Sequence, residues 1–205
     1  ILFDPVYVKD TSTLKYLYWA PDPVDRRKKL MPFLWNYVAE KGQLWGNRNY
    51  GNNISVANPY RLSYAGYNEL LTGFIDPLIM TNKPKKNLNS NLLGFLNTLP
   101  KYKNKIALFG SWKLFSYIVN GTKNKIPLNC GYQPADDSSA TTITEQAVNY
   151  IQETSENNSQ STRSDLLTFT LATEYIRKKH PRIVYIGFGE TDEFAHQGRY
   201  DNYLN

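Results

Sequence analysis

Apolar and polar positions along the chain fall into short blocks with two different periods. Ile183 to Phe188 is an unbroken β-branched and aromatic run that stops at a Gly-flanked turn. Lys105 to Phe109, KIALF, is a second such run, leading through Gly110 and Ser111. Apolar runs of this length bounded by glycine predict strands buried on both faces. Other blocks carry the helical period. Leu30, Phe33, Leu34, Tyr37 and Val38 form a stripe that predicts a helix packed on a sheet, with Arg26 to Lys29 facing water. Asp22 and Asp25 are its N-cap candidates and Gly42 its C-cap, while Pro32 either kinks it or marks its first turn. Shorter helices are predicted for Tyr67 to Thr72, ended by Gly73; for Asn91 to Leu99, ended by Pro100; around Trp112 to Val119; and for Thr144 to Ile151, with a capping box. Asp165 is expected to cap a longer helix that buries Leu167, Leu171, Ala172 and Tyr175, sets Arg177 to Lys179 against its C-terminal dipole and stops at Pro181.

Between these blocks, Gln43 to Pro59 reads as one or two short strands broken by Gly and Asn. Asn82 to Asn89, Asn129 to Thr142 and Ser155 to Ser164 read as loops, and Ile1 to Ala20 is apolar and aromatic without a clean period. Helix, short break and parallel-type strand, repeated, predict an α/β layered fold with ligands at the carboxyl ends of the strands.

Composition changes this picture little. The 205 residues, 41% hydrophobic and 20% charged, suit one globular domain spanning 1–205. Lys+Arg exceed Asp+Glu by 24 to 18, a formal net charge of +6 that favours anionic ligands. The basic residues lie in scattered groups, Arg26 to Lys29, Lys83 to Lys86 and Lys101 to Lys105, which reads as solvated loops and helix ends; nucleic acid is therefore not an expected partner. Cys130 is the only cysteine, so an intrachain disulfide and a Cys-based zinc site are both excluded. The sequence holds no 18-residue apolar run, and no transmembrane segment is expected. The 16 Tyr and 4 Trp either fill cores and cover loops or line a pocket for a sugar or nucleoside.

Two places carry candidate chemistry. Directly after the Ile183 to Phe188 strand, Asp192 and His196 stand at i,i+4, which on a helix puts a carboxylate and an imidazole on one face, close enough to grip one metal ion. Ser63 lies at the mouth of a short helix in SYAGYNELLTG, where free N–H groups and the dipole favour an oxyanion; the alternative is a plain N-cap serine. Asn68, one turn on, either donates to a phosphate oxygen or is an exposed helical Asn.

Together these segments resemble the alkaline phosphatase superfamily, in particular its phosphodiesterase-like and phosphoglyceromutase-like branch. In that branch a Ser or Thr nucleophile precedes a T-G that ends its helix, and a later T-D-x-x-x-H supplies metal ligands after a core strand. Ser63 likewise precedes Thr72-Gly73, and Thr191, Asp192 and His196 fill the later motif. KLMPFLWN at Lys29 to Asn36, GNRN at Gly46 to Asn49, NPY at Asn58 to Tyr60, FGSW at Phe109 to Trp112 and GRYDNYL at Gly198 to Leu204 are similar to alkaline-phosphatase-like proteins of Bacteroidetes-type bacteria.

The resemblance implies a three-layer α/β sandwich with a mostly parallel central sheet, incomplete at both ends, and a site with two divalent metal ions, usually zinc. It implies that Ser63 is the nucleophile, itself a metal ligand, forming a phosphoseryl intermediate, and that Asp192 and His196 bind the metal facing the incoming water. The implied substrate is a phosphorylated small molecule and the implied location is exported, in the periplasm or cell envelope. A sulfatase ranks lower, because Ser63 is followed by Tyr-Ala-Gly rather than x-P-x-R. The family also uses an Asp-Gly near the first core strand, an Asp-His-Gly near the end of the domain and one more His. No Asp-Gly occurs, and the other histidine, His180 in KKHPR, sits where a helix C-terminus is expected. Two expectations compete: an internal piece of a longer chain, inactive by itself, which the abrupt edges at Ile1 and Asn205 favour, or a non-catalytic binding or scaffold subunit of an exported assembly with protein partners.

Overall fold

The computed structural model describes residues 12–135, 141–155 and 162–204. By its contacts the chain divides into two compact units, Ile1–Val56 with Thr191–Asn205, and Ala57–Glu190. Parts of the loops expected at 129–142 and 155–164 lie outside the described residues.

In the first unit, helix α1 spans Ser12–Tyr18 and α2 spans Pro23–Leu30. Asp22, not Asp25, is the N-cap of α2: its Oδ1 accepts the Val24 N–H at 2.8 Å, and Pro23 holds the first position, where no N–H is needed. The chain breaks at Met31 and turns helical again from Pro32, so Pro32 opens a helix rather than kinking one. That helix has a π segment, Leu34–Val38, continued by α3, Ala39–Lys41, and ends at Gly42. The expected buried stripe does not form: nothing between Pro23 and Lys41 is buried, and Phe33 is 69% exposed. The break at Met31 and the wider π turn take Leu30 out of phase with Phe33 to Val38. Leu30 instead packs beside a small core of Leu14 and Leu204 with Tyr18 and Tyr200. The strands expected within Gln43 to Pro59 are absent among the described residues. Gly46 and Gly51 adopt φ of +89° and +70°, outside any strand, around a 3₁₀ turn at Arg48–Tyr50.

The second unit is the α/β body. Helix α4 spans Ser63–Thr72 and ends at Gly73 in the left-handed conformation; α5 spans Leu92–Thr98, capped by Asn91. Strand β1 is Ile106–Gly110, followed by α6, Phe115–Val119, and α7, Gly121–Asn124. Then come β2, Leu128–Cys130; α8, Ile143–Thr154; α9, Asp165–Lys179; β3, Ile183–Gly187; and α10, which begins at Glu190 and runs to His196. The three strands form one parallel sheet in the order β2-β1-β3. Alternation along β1 splits the core in two. Ile106 and Leu108 join Tyr64, Leu71, Phe115 and Ile118 on one face, and Ala107 and Phe109 join Val148, Leu171 and Ala172 on the other. The sheet therefore has helices on both faces, an α/β arrangement. Gly110 and Gly187 are register partners at the carboxyl edge, and a Cβ on either would strike the Phe115 ring. Strand β2 runs into what reads as loop from Asn129.

Helix α8 begins with the expected capping box. The Glu145 N–H donates to Thr142 Oγ1 at 3.1 Å and the Thr142 N–H to Glu145 Oε2 at 2.8 Å. Lys178 Nζ on α9 lies 2.6 Å from both Glu145 carboxylate oxygens. Burial pushes the Glu145 carboxyl up, but the bonds from Lys178 and Thr142 outweigh it and hold the group below its usual value. A depressed carboxyl pKa contributes stability that is complete above the unfolded value and lost as pH falls through the folded one. Lys178→Met is thus expected to cost about 2 kcal/mol at neutral pH, a cost that shrinks once pH drops below the unfolded glutamate value of about 4.3. Urea unfolding of both proteins across that window checks this; a cost that does not change with pH contradicts it.

Candidate functional site

Ser63 is the first residue of α4. The N-cap is Leu62, with extended φ and ψ of −122° and 143°, so Ser63 is not the capping serine of the bland reading. It is exposed, and its hydroxyl has no hydrogen-bond partner among the described residues. The free N–H groups of this helix end are partly taken: the Tyr64 N–H donates to Asn82 Oδ1 at 3.0 Å. Glu69, farther along α4, accepts from the Ala57 and Asn58 N–H groups at 2.8 and 3.0 Å and ties the preceding segment to the helix.

Asn68 is buried rather than exposed, and its amide is engaged. Its Nδ2 donates to Phe74 O at 3.2 Å, and its Oδ1 accepts from Asn87 Nδ2 at 2.9 Å and Asn89 Nδ2 at 3.1 Å. One of the two Nδ2 hydrogens is thus taken by Phe74 O, and Oδ1 is filled by two donors.

Asp192 and His196 lie on α10 with Oδ2 and Nε2 3.6 Å apart, side chains 73% and 75% exposed, on one helix face as their spacing predicts. Ser63 belongs to the unit Ala57–Glu190, whereas Asp192 and His196 belong to the other. Their O and N donors suit zinc but make two of the four ligands such an ion takes. Among the described residues no three His, Cys, Asp or Glu side chains gather into a metal-holding group. His180 is the C-cap of α9, at φ +47°, with its N–H donating to Ile176 O at 3.0 Å.

The richest polar constellation of the α/β body has no counterpart in the sequence reading. It sits at the carboxyl ends of β1 and β3. Asp165 does not cap α9; Ser164 holds that position, and the Asp165 carboxylate crosses to the start of α10. Its Oδ1 accepts the Gly189 N–H at 2.8 Å and its Oδ2 the Glu190 N–H at 3.0 Å. In return Glu190 Oε2 accepts the Asp165 N–H at 2.7 Å and Ser164 Oγ at 3.2 Å. Each helix start is thus capped by the first acidic residue of the other, where the dipoles favour negative charge. Ser111 Oγ, just past β1, donates to Asp165 Oδ1 at 2.5 Å and lies 2.8 Å from Thr168 Oγ1.

Thr168 Oγ1 in turn accepts Arg163 Nε at 3.1 Å. Arg163 is fully buried, its Nη1 donating to Asn129 Oδ1 at 2.7 Å and Gln152 Oε1 at 3.1 Å. Burial pushes its guanidinium down to about 10, which leaves it a cation at neutral pH. Burial likewise pushes the neighbouring Cys130 thiol up to about 12, keeping it neutral and unreactive. These contacts join segments far apart in sequence, and the only local signal is an acidic residue opening each of two helices, S-D-L-L and G-E-T-D. Comparison with protein-family models, with curated proteins and with solved structures returned no match.

Proposed function

We propose that this chain carries part of the site of a metal-dependent phosphoric ester hydrolase or phosphotransferase of the alkaline phosphatase type, exported to the periplasm or cell envelope and built on that family's three-layer sandwich. The observation that carries the reading is the exposed Asp192–His196 pair on the helix that follows the parallel strand β3. Ser63, exposed at the first turn of α4 with an unengaged hydroxyl, supports it. In this reading Ser63 Oγ attacks phosphorus, the bond to the leaving oxygen breaks and that oxygen is protonated. Water then displaces the serine from the phosphoseryl intermediate and returns Ser63 with its proton. Two divalent ions, zinc by the donor chemistry, would supply positive charge at the phosphoryl oxygens. Asp192 and His196 would hold one of them, and Ser63 would be a metal ligand as well as the nucleophile.

The test is phenyl phosphate hydrolysis by the protein in its natural sequence context, with zinc supplied. Turnover is expected to stop on chelation and return with metal, and Asp192→Ala and His196→Ala are each expected to weaken zinc binding, read by calorimetry, about tenfold or more. Turnover indifferent to chelator overturns the metal-dependent reading. A second reading, a non-catalytic binding or scaffold subunit, draws on the exposed Phe33, Tyr37, Trp45 and Tyr50, aromatic side chains of the kind enriched at protein interfaces. Metal binding without turnover on any phosphoester favours it.

A further inference from the structure

The segment between α4 and α5 has no regular secondary structure, yet buried amides hold it. Asn87 and Asn89 both donate to Asn68 Oδ1, and Asn120 Nδ2 donates to Asn87 O at 2.9 Å. The Tyr64 hydroxyl donates to Lys85 O at 2.6 Å, and Asn82 reaches the Tyr64 N–H in the turn that begins with Ser63. Burial and the nearby Asp76 push Tyr64 up to about 12, so it remains a donor throughout the physiological range. Burying Asn68, Asn87 and Asn120 is unfavourable unless each is bonded, and together they fix a loop that its own sequence leaves free.

The loop presents K-P-K-K. Lys83, Lys85 and Lys86 are exposed, and none forms an ion pair among the described residues. With Tyr64 and Asp76 they line a cavity of about 180 Å³. Asp76 is already engaged, its Oδ1 with the Leu78 N–H at 2.8 Å and its Oδ2 with Asn89 Nδ2 at 2.6 Å. Three lysines against the one Asp76 carboxylate leave the cavity lining with an excess of positive charge, which favours an anion there. Resting on the hydrolase reading, we propose that this lysine-walled cavity beside α4 is a subsite for a second anionic group of the substrate, remote from the phosphoryl group that Ser63 attacks. The substrate class is then a phosphoester that also carries a carboxylate or a further phosphate.

The test compares the wild type with the triple variant Lys83→Gln, Lys85→Gln, Lys86→Gln, and with Lys101→Gln, Lys103→Gln, Lys105→Gln, which removes the same charge from another loop. Substrates are phenyl phosphate, 4-carboxyphenyl phosphate and hydroquinone bisphosphate, with binding of inorganic pyrophosphate followed by calorimetry. In the first variant kcat/KM is expected to fall about tenfold or more for the two doubly anionic substrates and less than about twofold for phenyl phosphate, with pyrophosphate binding weakened about tenfold. The larger fall of the two identifies carboxylate or phosphate as the natural group. Equal falls for all three substrates, or the same effect from the control variant, overturn the subsite. If no phosphoester turns over but pyrophosphate binding still drops only in the first variant, the hydrolase reading fails and the anion site stands; unchanged pyrophosphate binding removes the site.

Discussion

If Ser63 is the nucleophile of the proposed hydrolase, replacing it by alanine is expected to abolish phosphoester turnover, lowering kcat on the order of a thousandfold or more, because the attacking oxygen is gone and water must act in its place. The same change is expected to leave the fold intact. Ser63 is exposed, and its hydroxyl caps nothing and bonds to nothing among the described residues, so its stability effect belongs to the surface class, within about 0.5 kcal/mol. Turnover of phenyl phosphate in the natural sequence context, read beside far-UV circular dichroism, separates the two effects. A variant that keeps more than about a tenth of the wild-type rate excludes Ser63 as the nucleophile.

The largest stability effect is expected at Arg163. Truncation to methionine removes a fully buried fork whose Nε and Nη1 bond Thr168, Asn129 and Gln152, and it leaves the buried Gln152 Oε1 without its donor. Loss of several donor bonds from a buried cation, at about 1 kcal/mol or more each, together costs about 3 kcal/mol, which in a chain of this size lowers the melting temperature by roughly 10 °C. Arg163→Lys is expected to recover only part of this, since a single ammonium cannot reproduce a planar fork. Urea unfolding followed by far-UV circular dichroism gives the number. A cost below about 1 kcal/mol for Arg163→Met means that the buried cation contributes little, as happens where an apolar side chain refills the space.

Much of the α/β body is legible in one dimension. The apolar runs within KIALF and IVYIGF become β1 and β3; the central β1 is buried throughout, as an apolar run between two layers should be, whereas β3 at the sheet edge is half-buried up to Gly187. Gly73 ends α4 in the left-handed conformation that its position predicts, and Thr142 with Glu145 forms the capping box. Strand β2 is illegible: L-N-C has no alternation and becomes a strand only because its backbone meets β1 at Leu108, Phe109 and Gly110. The Leu30 to Val38 stripe misleads for the opposite reason, since a helical period says nothing about a break at Met31 or a π turn after it.

The candidate site divides in the same way. Sequence spacing by itself determines that Asp192 and His196 share a helix face and that Ser63 opens a helix, because both are consequences of one helix's local geometry. Only the tertiary structure decides that Asn68 is filled by Asn87 and Asn89, that Asp165 and Glu190, 25 positions apart, cap each other's helices, and that Arg163 is buried. A polar side chain looks the same in a sequence whether it faces water or a partner. Its role is fixed by which distant segment folds against it, and that is a property of the packed chain.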